Sequence, residues 1–454
     1  MKIRISPSTL IIFLASILII IALPAAAWSN HALGTWQALS SLLASGRTPE
    51  VRAESLSSFL AAEGHILETL MQQEEKWAEE NVPEYPQRPD NLRYRFGDDA
   101  KQNRQSFLAA LRINPKSKLP LYLQLQPGAN ASGKALLPWN EVTTLQHSLS
   151  VKNAQFLKVQ EGQMLAALDV VASASDEPDY GLDLGLWDDN DEAHSLGYRF
   201  GKQPFGNPAL EYSSQAPFHM GFFHESPIVY KAAGFLRRTY PEYRIHLYQT
   251  LSKHAFNSGH AYWGWRFAGW ALHYVQDLTQ PYHASALPGV SVPRMLWING
   301  LDMAGAHDSK QNVIILVSNR HAALENYQYY RMHAAYLRKD TEDALLRATR
   351  ESVKSNQPAY ALSQVRQEIS LQSHALANPT DALLEHVLPA KYISDPRYVL
   401  GEAEPQLNLF TVMNGVSPER QTLMTDATVR LMRNFGTHTR AFILATVTIQ
   451  SNSK

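Results

Sequence analysis

The sequence predicts an all-α protein, and three observations carry that reading. Apolar residues recur at helical spacing through most of the 454 residues. No alternation of strand and helix patterns of the kind that builds a parallel sheet is visible. The most strongly apolar stretch after the N-terminus, GHAYWGWRFAGWALHYVQDLTQPYHAS from Gly259 to Ser285, reads as a buried helix followed by a turn. Hydrophobic residues make up 45% of the chain, ample for a sizeable core. A formal net charge of −1 gives no electrostatic reason to expect nucleic acid as a partner. Cysteine is absent, so disulfides and thiolate ligands are excluded, and any metal must be held by His, Asp, Glu, water or backbone groups.

Lys2 and Arg4 precede an apolar run from Leu10 to Leu23, and Pro24 and Ala25-Ala26-Ala27 follow it. The run falls short of the ~20 residues that span a bilayer, and the A-x-A pattern marks a cleavage site. Residues 1–27 therefore read as a signal peptide. Its removal on export, to the periplasm or beyond, would leave Trp28 with a free α-amino group.

Helical spacing covers His31 to Ser45 and then Val51 to Glu79, the second with Leu56, Phe59, Leu60, Ile66, Leu67 and Leu70 on its buried side. Residues 80–105 read as a loop, and a short helix follows over Asp99 to Ile113. The Pro/Gly-rich connection from Pro115 to Pro138 contains LYLQLQPG, a brief extended piece. A helix is expected near Gln160–Ser173, before the turn-rich Asp176 to Pro208. Helices then cover Ile228–Ala255, Tyr262–Gln276 and Arg320–Arg338, and Pro281 should help end the second of these. To Gln450 the helical runs are broken at Pro358, Pro379, Pro389, Pro396 and Pro405. One α-helical catalytic domain over 28–454 is expected, with insertions at about 80–175 and 284–320. The apolar VPRMLWINGLDMAG and NVIILVSN of the second insertion read as an extra packed helix and strand, or as a lipid-touching surface near the mouth of a site.

Within the central stretch, His273 and Asp277 are four residues apart and so share one helix face. His283 follows just past Pro281. Two imidazoles and a carboxylate converging at a helix end are most of a zinc ligand set. A second pair at the same spacing, His321 and Glu325, lies in NRHAALENYQYY. Upstream, Asp179 sits on the Pro-bent loop Asp176-Glu177-Pro178-Asp179-Tyr180, and SSQAPFHMGFFHE offers His219 and His224.

In order and spacing these residues resemble the zinc-dependent phospholipases C, whose relatives include the clostridial alpha-toxin type and the fungal single-strand nucleases of the same fold. The shared features are a Trp after a signal peptide, a nearby His and a Pro-Asp-Tyr loop. A His near aromatics follows, then His-x-x-x-Asp, a His six residues on, and His-x-x-x-Glu. The stretch ALHYVQDLTQPYHA is similar to the family's core motif almost throughout. The resemblance implies a phospholipase C-like fold and three zinc ions. One would take Asp179, His219, His273 and Asp277, with His224 and His194 as rivals of His219. A second would take His283, His321 and Glu325. A third would take the bridging Asp277, His31, and the amine and carbonyl of Trp28. Asp179 would also be the catalytic general base.

The function so implied is phospholipase C hydrolysis, releasing diacylglycerol and a phosphorylated head group. The expected partners are a phospholipid substrate and, transiently, a membrane surface. A secreted zinc-dependent single-strand nuclease or nucleotidase of the same fold is the alternative. A helical protein with merely structural zinc fits less well, because structural sites are closed and isolated.

Overall fold

Helices dominate the computed structural model, which describes residues 28–44, 49–146, 151, 153–190, 197–206, 211–351, 360–401 and 404–447. Residues 1–27, where a signal peptide is expected, and His194 lie outside the described residues. The longer helices are α1 (His31–Ala44), α2 (Leu56–Asn81), α3 (Ala100–Leu111), α4 (Ala167–Ser175), α5 (Pro241–Asn257) and α6 (Ala261–Asp277). They continue with α7 (Val292–Met303), α8 (Asp308–Leu337), α9 (Ala344–Arg350), α10 (Leu371–Val387) and α11 (Pro418–Thr446). Among the described residues the strands are short and lie between Glu50 and Ala166. β1 (Glu50–Arg52) pairs antiparallel with β5 (Met164–Ala166), while β2 (Tyr122–Gln124), β4 (Phe156–Lys158) and β3 (Leu136–Leu137) form a small antiparallel sheet in that order. Among the described residues, no helix is long and apolar enough to cross a membrane.

The axis of this arrangement is α6. Every residue from Tyr262 to Asp277 is buried, so this helix must be wrapped on all sides. It packs on α5, α4 and α11, and α1 lies between α4 and α11. Trp263, Trp270, Tyr248 and Tyr274 fill the surrounding core with almost no exposure. The buried charge Arg266 is held by both oxygens of Glu177, at 3.0 and 2.8 Å, and the Trp270 indole also donates to that carboxylate. This pairing fixes the loop that follows α4 against α6. A second core joins Trp28, Tyr282, Leu324, Met432 and Phe435, locking α8 and α11 around the other end of α6.

Several boundaries depart from the sequence pattern. Val51 lies in β1, and α2 begins only at Leu56, after Ser55, whose side chain accepts from Ser58 N. Ile66 is 56% exposed, on the solvent side of α2. The expected helix over Gln160–Ser173 is β5 followed by α4, and Pro241 opens α5 as a separate element. Pro281 starts the four-residue helix Pro281–Ala284 instead of ending α6, which has already stopped at Asp277. Pro379 lies inside α10, on its exposed side, where solvent can take the carbonyl that proline leaves unpaired. In the second insertion no strand forms: NVIILVSN is the opening of the 30-residue helix α8.

Candidate metal centre

Six separate pieces of chain deliver the candidate ligands. α6 supplies His273 and, one turn on, Asp277 at its last residue. The short helix Pro281–Ala284 turns His283 back towards that end, and α8 presents His321 and Glu325 one turn apart. α1 opens with His31, the turn Pro178–Tyr180 after α4 carries Asp179, and the short helix Ala216–His219 ends on His219. Among the described residues, three groups have donor atoms within 4.8 Å of one another: His219, His273 and Asp277; His31, Asp179 and His273; His283, His321 and Glu325. All are buried, and together they could hold metal ions.

Asp277 stands at the centre. Its Oδ2 lies 2.9 Å from His219 Nδ1 and 3.3 Å from His273 Nε2, while Oδ1 lies 3.3 Å from His31 Nε2. Asp179 Oδ1 is 3.7 Å from His219 Nδ1 and 3.6 Å from His273 Nε2. In the third group, Glu325 Oε1 is 2.7 Å from His321 Nε2 and 4.0 Å from His283 Nε2.

Most of these imidazoles are oriented through the nitrogen that points away from their group. His273 Nδ1 lies 2.8 Å from Ser175 O, His283 Nδ1 3.1 Å from His219 O, and His31 Nδ1 2.7 Å from Gln276 Oε1. The Gln276 amide is itself fixed, donating to Thr35 and Thr439. With these nitrogens protonated, each ring turns the other nitrogen inward as a lone pair, the arrangement metal-ligating histidines use. His321 lacks such a backbone anchor but stacks flat on Tyr282, centroids 5.2 Å apart. The inward atoms His31 Nε2, His283 Nε2, His321 Nε2, Asp179 Oδ1 and Asp277 Oδ1 are buried without a hydrogen-bond partner. Orphaned polar atoms at such density are costly unless something satisfies them, and a cation does so for lone pairs.

The charges of the metal-free site are set by burial against carboxylates. Burial pushes the His31 pKa down, but the Asp277 carboxylate facing it at 3.3 Å outweighs burial and carries it up to about 9. His219 rises to about 10, with Asp183 and Asp277 overcoming burial. His283 and His321 are driven down to about 3 by burial, and burial holds the Glu325 carboxyl well above its usual range.

His224 is turned elsewhere: its Nε2 bonds Arg366 O at 2.9 Å, and it belongs to none of the three groups. The Trp28 indole donates to Thr279 Oγ1 at 3.1 Å, which ties this residue two positions past Asp277, while its carbonyl accepts from Asn30 N at 2.7 Å.

Three supporting residues escape sequence reasoning. Asp183 is fully buried, 3.3 Å from His219 Nε2, and receives Arg244 at 2.6 Å and the Tyr274 hydroxyl at 2.7 Å. Its only sequence signal is its place four residues after Asp179. Gln276 steers His31, and Gln280 donates to Glu325 at 2.7 Å; their signal was proximity to Asp277.

A cleft of about 320 Å³ opens onto the centre, with Asp179 and Asp176 among its walls. One side comes from the first insertion, Gln124–Ala129 and Asn153–Gln155, and the opposite side from Tyr329 and His333 of α8. Asp176 ties this wall to α1, accepting from Gln124 Nε2 at 2.7 Å and Ala32 N at 3.0 Å. Among the described residues, no lysine or arginine lines the cleft. The exposed Leu296 and Trp297 of α7 lie elsewhere: α7 packs on α8 near Val313 and Ile314. That contact is roughly 20 Å along the helix from Tyr329, so the apolar insertion does not border the cleft mouth. The chain matches no family model, no curated protein and no solved structure.

Proposed function

We propose that this chain is an exported zinc-dependent phospholipase C, of the phospholipase C-like fold, acting on a phospholipid at the glycerol side of its phosphate. The observation that carries the reading is the gathering of three buried His/carboxylate groups, two of them sharing His273 beside Asp277, with five of their inward atoms lacking a hydrogen-bond partner. His219, His273, Asp277 and Asp179 would hold one zinc; His283, His321 and Glu325 a second; His31, Asp277 and the Trp28 amine and carbonyl a third. Zinc bound there supplies positive charge for the phosphate oxygens and makes water easier to deprotonate. Asp179, at the cleft wall, takes the proton of the attacking water as its oxygen bonds to phosphorus. The bond from phosphorus to the glycerol oxygen breaks, and that oxygen takes a proton from solvent water and leaves as diacylglycerol, while Asp179 returns its proton to solvent. Gln276 and the Ser175 carbonyl hold His31 and His273 in place throughout.

The described lining of the cleft holds carboxylates and no lysine or arginine, which favours a single phosphodiester neutralised by metal over a polynucleotide tracked by a basic groove. The test is to assay the zinc-loaded protein on phosphatidylcholine and on single-stranded DNA. Release of diacylglycerol is expected; turnover of the nucleic acid alone would replace this reading with the nuclease or nucleotidase one.

A further inference from the structure

Beyond the cleft, the helices that bring ligands to the centre run on together and floor a second, apolar groove. α1 lines the cleft through Ala32 and the groove through Trp36, one turn later. α8 does the same with His333 and then Tyr336 and Leu337. One segment, Gln126–Ala129, walls both spaces, so they are neighbours separated only by this strap. The groove has a volume of about 570 Å³, within the range of small-molecule sites. Leu346 of α9 adds to its apolar lining. The Trp36 and Tyr336 rings meet edge to face at 6.1 Å. Leu337 is 51% exposed, an uncovered leucine at the helix end. At the groove's polar margin Arg350 donates to Gln37 at 2.9 Å and to the Thr341 carbonyl. Gly128, at φ +71°, sits so close to Leu337 that a Cβ there would lie 2.6 Å from Leu337 Cδ2.

We infer that the groove of Trp36, Tyr336, Leu337 and Leu346 is the subsite for an acyl chain of the substrate whose phosphate occupies the metal centre. This rests on the phospholipase reading. A lipid is the occupant because an amphiphile alone needs what the two spaces offer in sequence: a polar cleft at the metal ligands, then apolar surface one helical turn beyond. Trp36, Tyr336 and Leu337 come from the ligand-bearing helices α1 and α8, which tie the groove to the centre.

The test compares monomeric phosphatidylcholines carrying acetyl or hexanoyl chains, using the zinc-loaded protein. The hexanoyl substrate should have a kcat/KM higher by about tenfold or more, the gain expected from burying two of the four methylenes it adds per chain. Leu337→Glu, at an exposed position that should not disturb folding, should bring that ratio close to one. A wild-type ratio near one, or a ratio unaffected by the substitution, would overturn the subsite while leaving the phospholipase reading intact. Calorimetric binding of monomeric dodecylphosphocholine, which needs no turnover, makes the same comparison. Wild type should bind and Leu337→Glu should bind at least about tenfold more weakly. Equal binding, or none by wild type, sinks the assignment even if the protein cleaves no lipid. Gly128→Ala, which crowds the groove from the strap side, should act in the same direction as Leu337→Glu.

Discussion

His31 Nε2 faces Asp277 Oδ1 at 3.3 Å, both side chains wholly buried, while the other oxygen of the same carboxylate faces His219 and His273. One carboxylate thus serves two groups of imidazoles that arrive from α1, α6 and the short helix before Met220. Asp277→Asn should therefore remove more than one metal. About three zinc ions per chain are expected for the intact centre and about one for the variant, held by His283, His321 and Glu325. Elemental analysis after dialysis decides it. A full zinc complement in Asp277→Asn would refute the bridging role.

The metal-free centre should be sensitive to alkali. His31 and His219 have folded-state pKa values raised from the ordinary 6.5 to about 9 and about 10, after the carboxylates outweigh burial. A raised value means that the folded state binds these protons more tightly than the unfolded state does. Their stabilisation is thus complete below pH 6.5 and is lost as the pH rises through 9 to 10. Zinc displaces the same protons and should abolish this dependence. The measurement is Tm against pH from 6.5 to 10, with chelator and with zinc. Parallel curves would show that His31 and His219 are not charged in the metal-free fold.

Asp183 links the centre to the core. Its carboxylate lies between His219 and the buried guanidinium of Arg244. Burial alone would raise its pKa, but Arg244 and His219 draw it below the usual range. Asp183→Asn leaves Arg244 buried without its counter-charge, a loss on the order of 3–5 kcal/mol. It also loosens the orientation of His219, expected to weaken zinc binding by roughly 10–100-fold. Urea denaturation of the metal-free variant reads the first effect, and a competition titration with a zinc indicator reads the second. If neither shifts, Asp183 is a bystander.

What was legible in the sequence is what depends on local spacing. His273 with Asp277 and His321 with Glu325 are one helical turn apart, and the helices that carry them are long and apolar enough to announce themselves. Asp183 could not be found that way, because its partners His219 and Arg244 lie on other elements and only tertiary packing brings them to it. The choice between His219 and His224 was open for the same reason: five residues apart in the chain, they diverge because the short helix ends at His219. The β-branched run in NVIILVSN suggested a strand, yet α8 absorbs it, since the helix reaching His321 and Glu325 begins before it. Ile66 fits the apolar repeat of α2 but falls on the face that nothing covers. The strap Gln126–Ala129 carried no motif at all, although it walls both the cleft and the groove.

Asp179 is the carboxylate with a place both in a ligand group and in the cleft wall. Asp179→Asn keeps the shape of the side chain and leaves His219, His273 and Asp277 to hold their metal. Zinc content and Tm should therefore change little. The rate should fall by about 100-fold or more, the usual cost of removing a general base, with the loss in kcat and not in KM. Steady-state hydrolysis of phosphatidylcholine beside elemental analysis separates the two effects. A variant that keeps its zinc and near-normal kcat would show that another group takes the proton. Asp176 lines the same cleft, but its oxygens already accept from Ala32 and Gln124. Asp176→Asn should accordingly disturb the cleft wall without reproducing the kcat loss of Asp179→Asn.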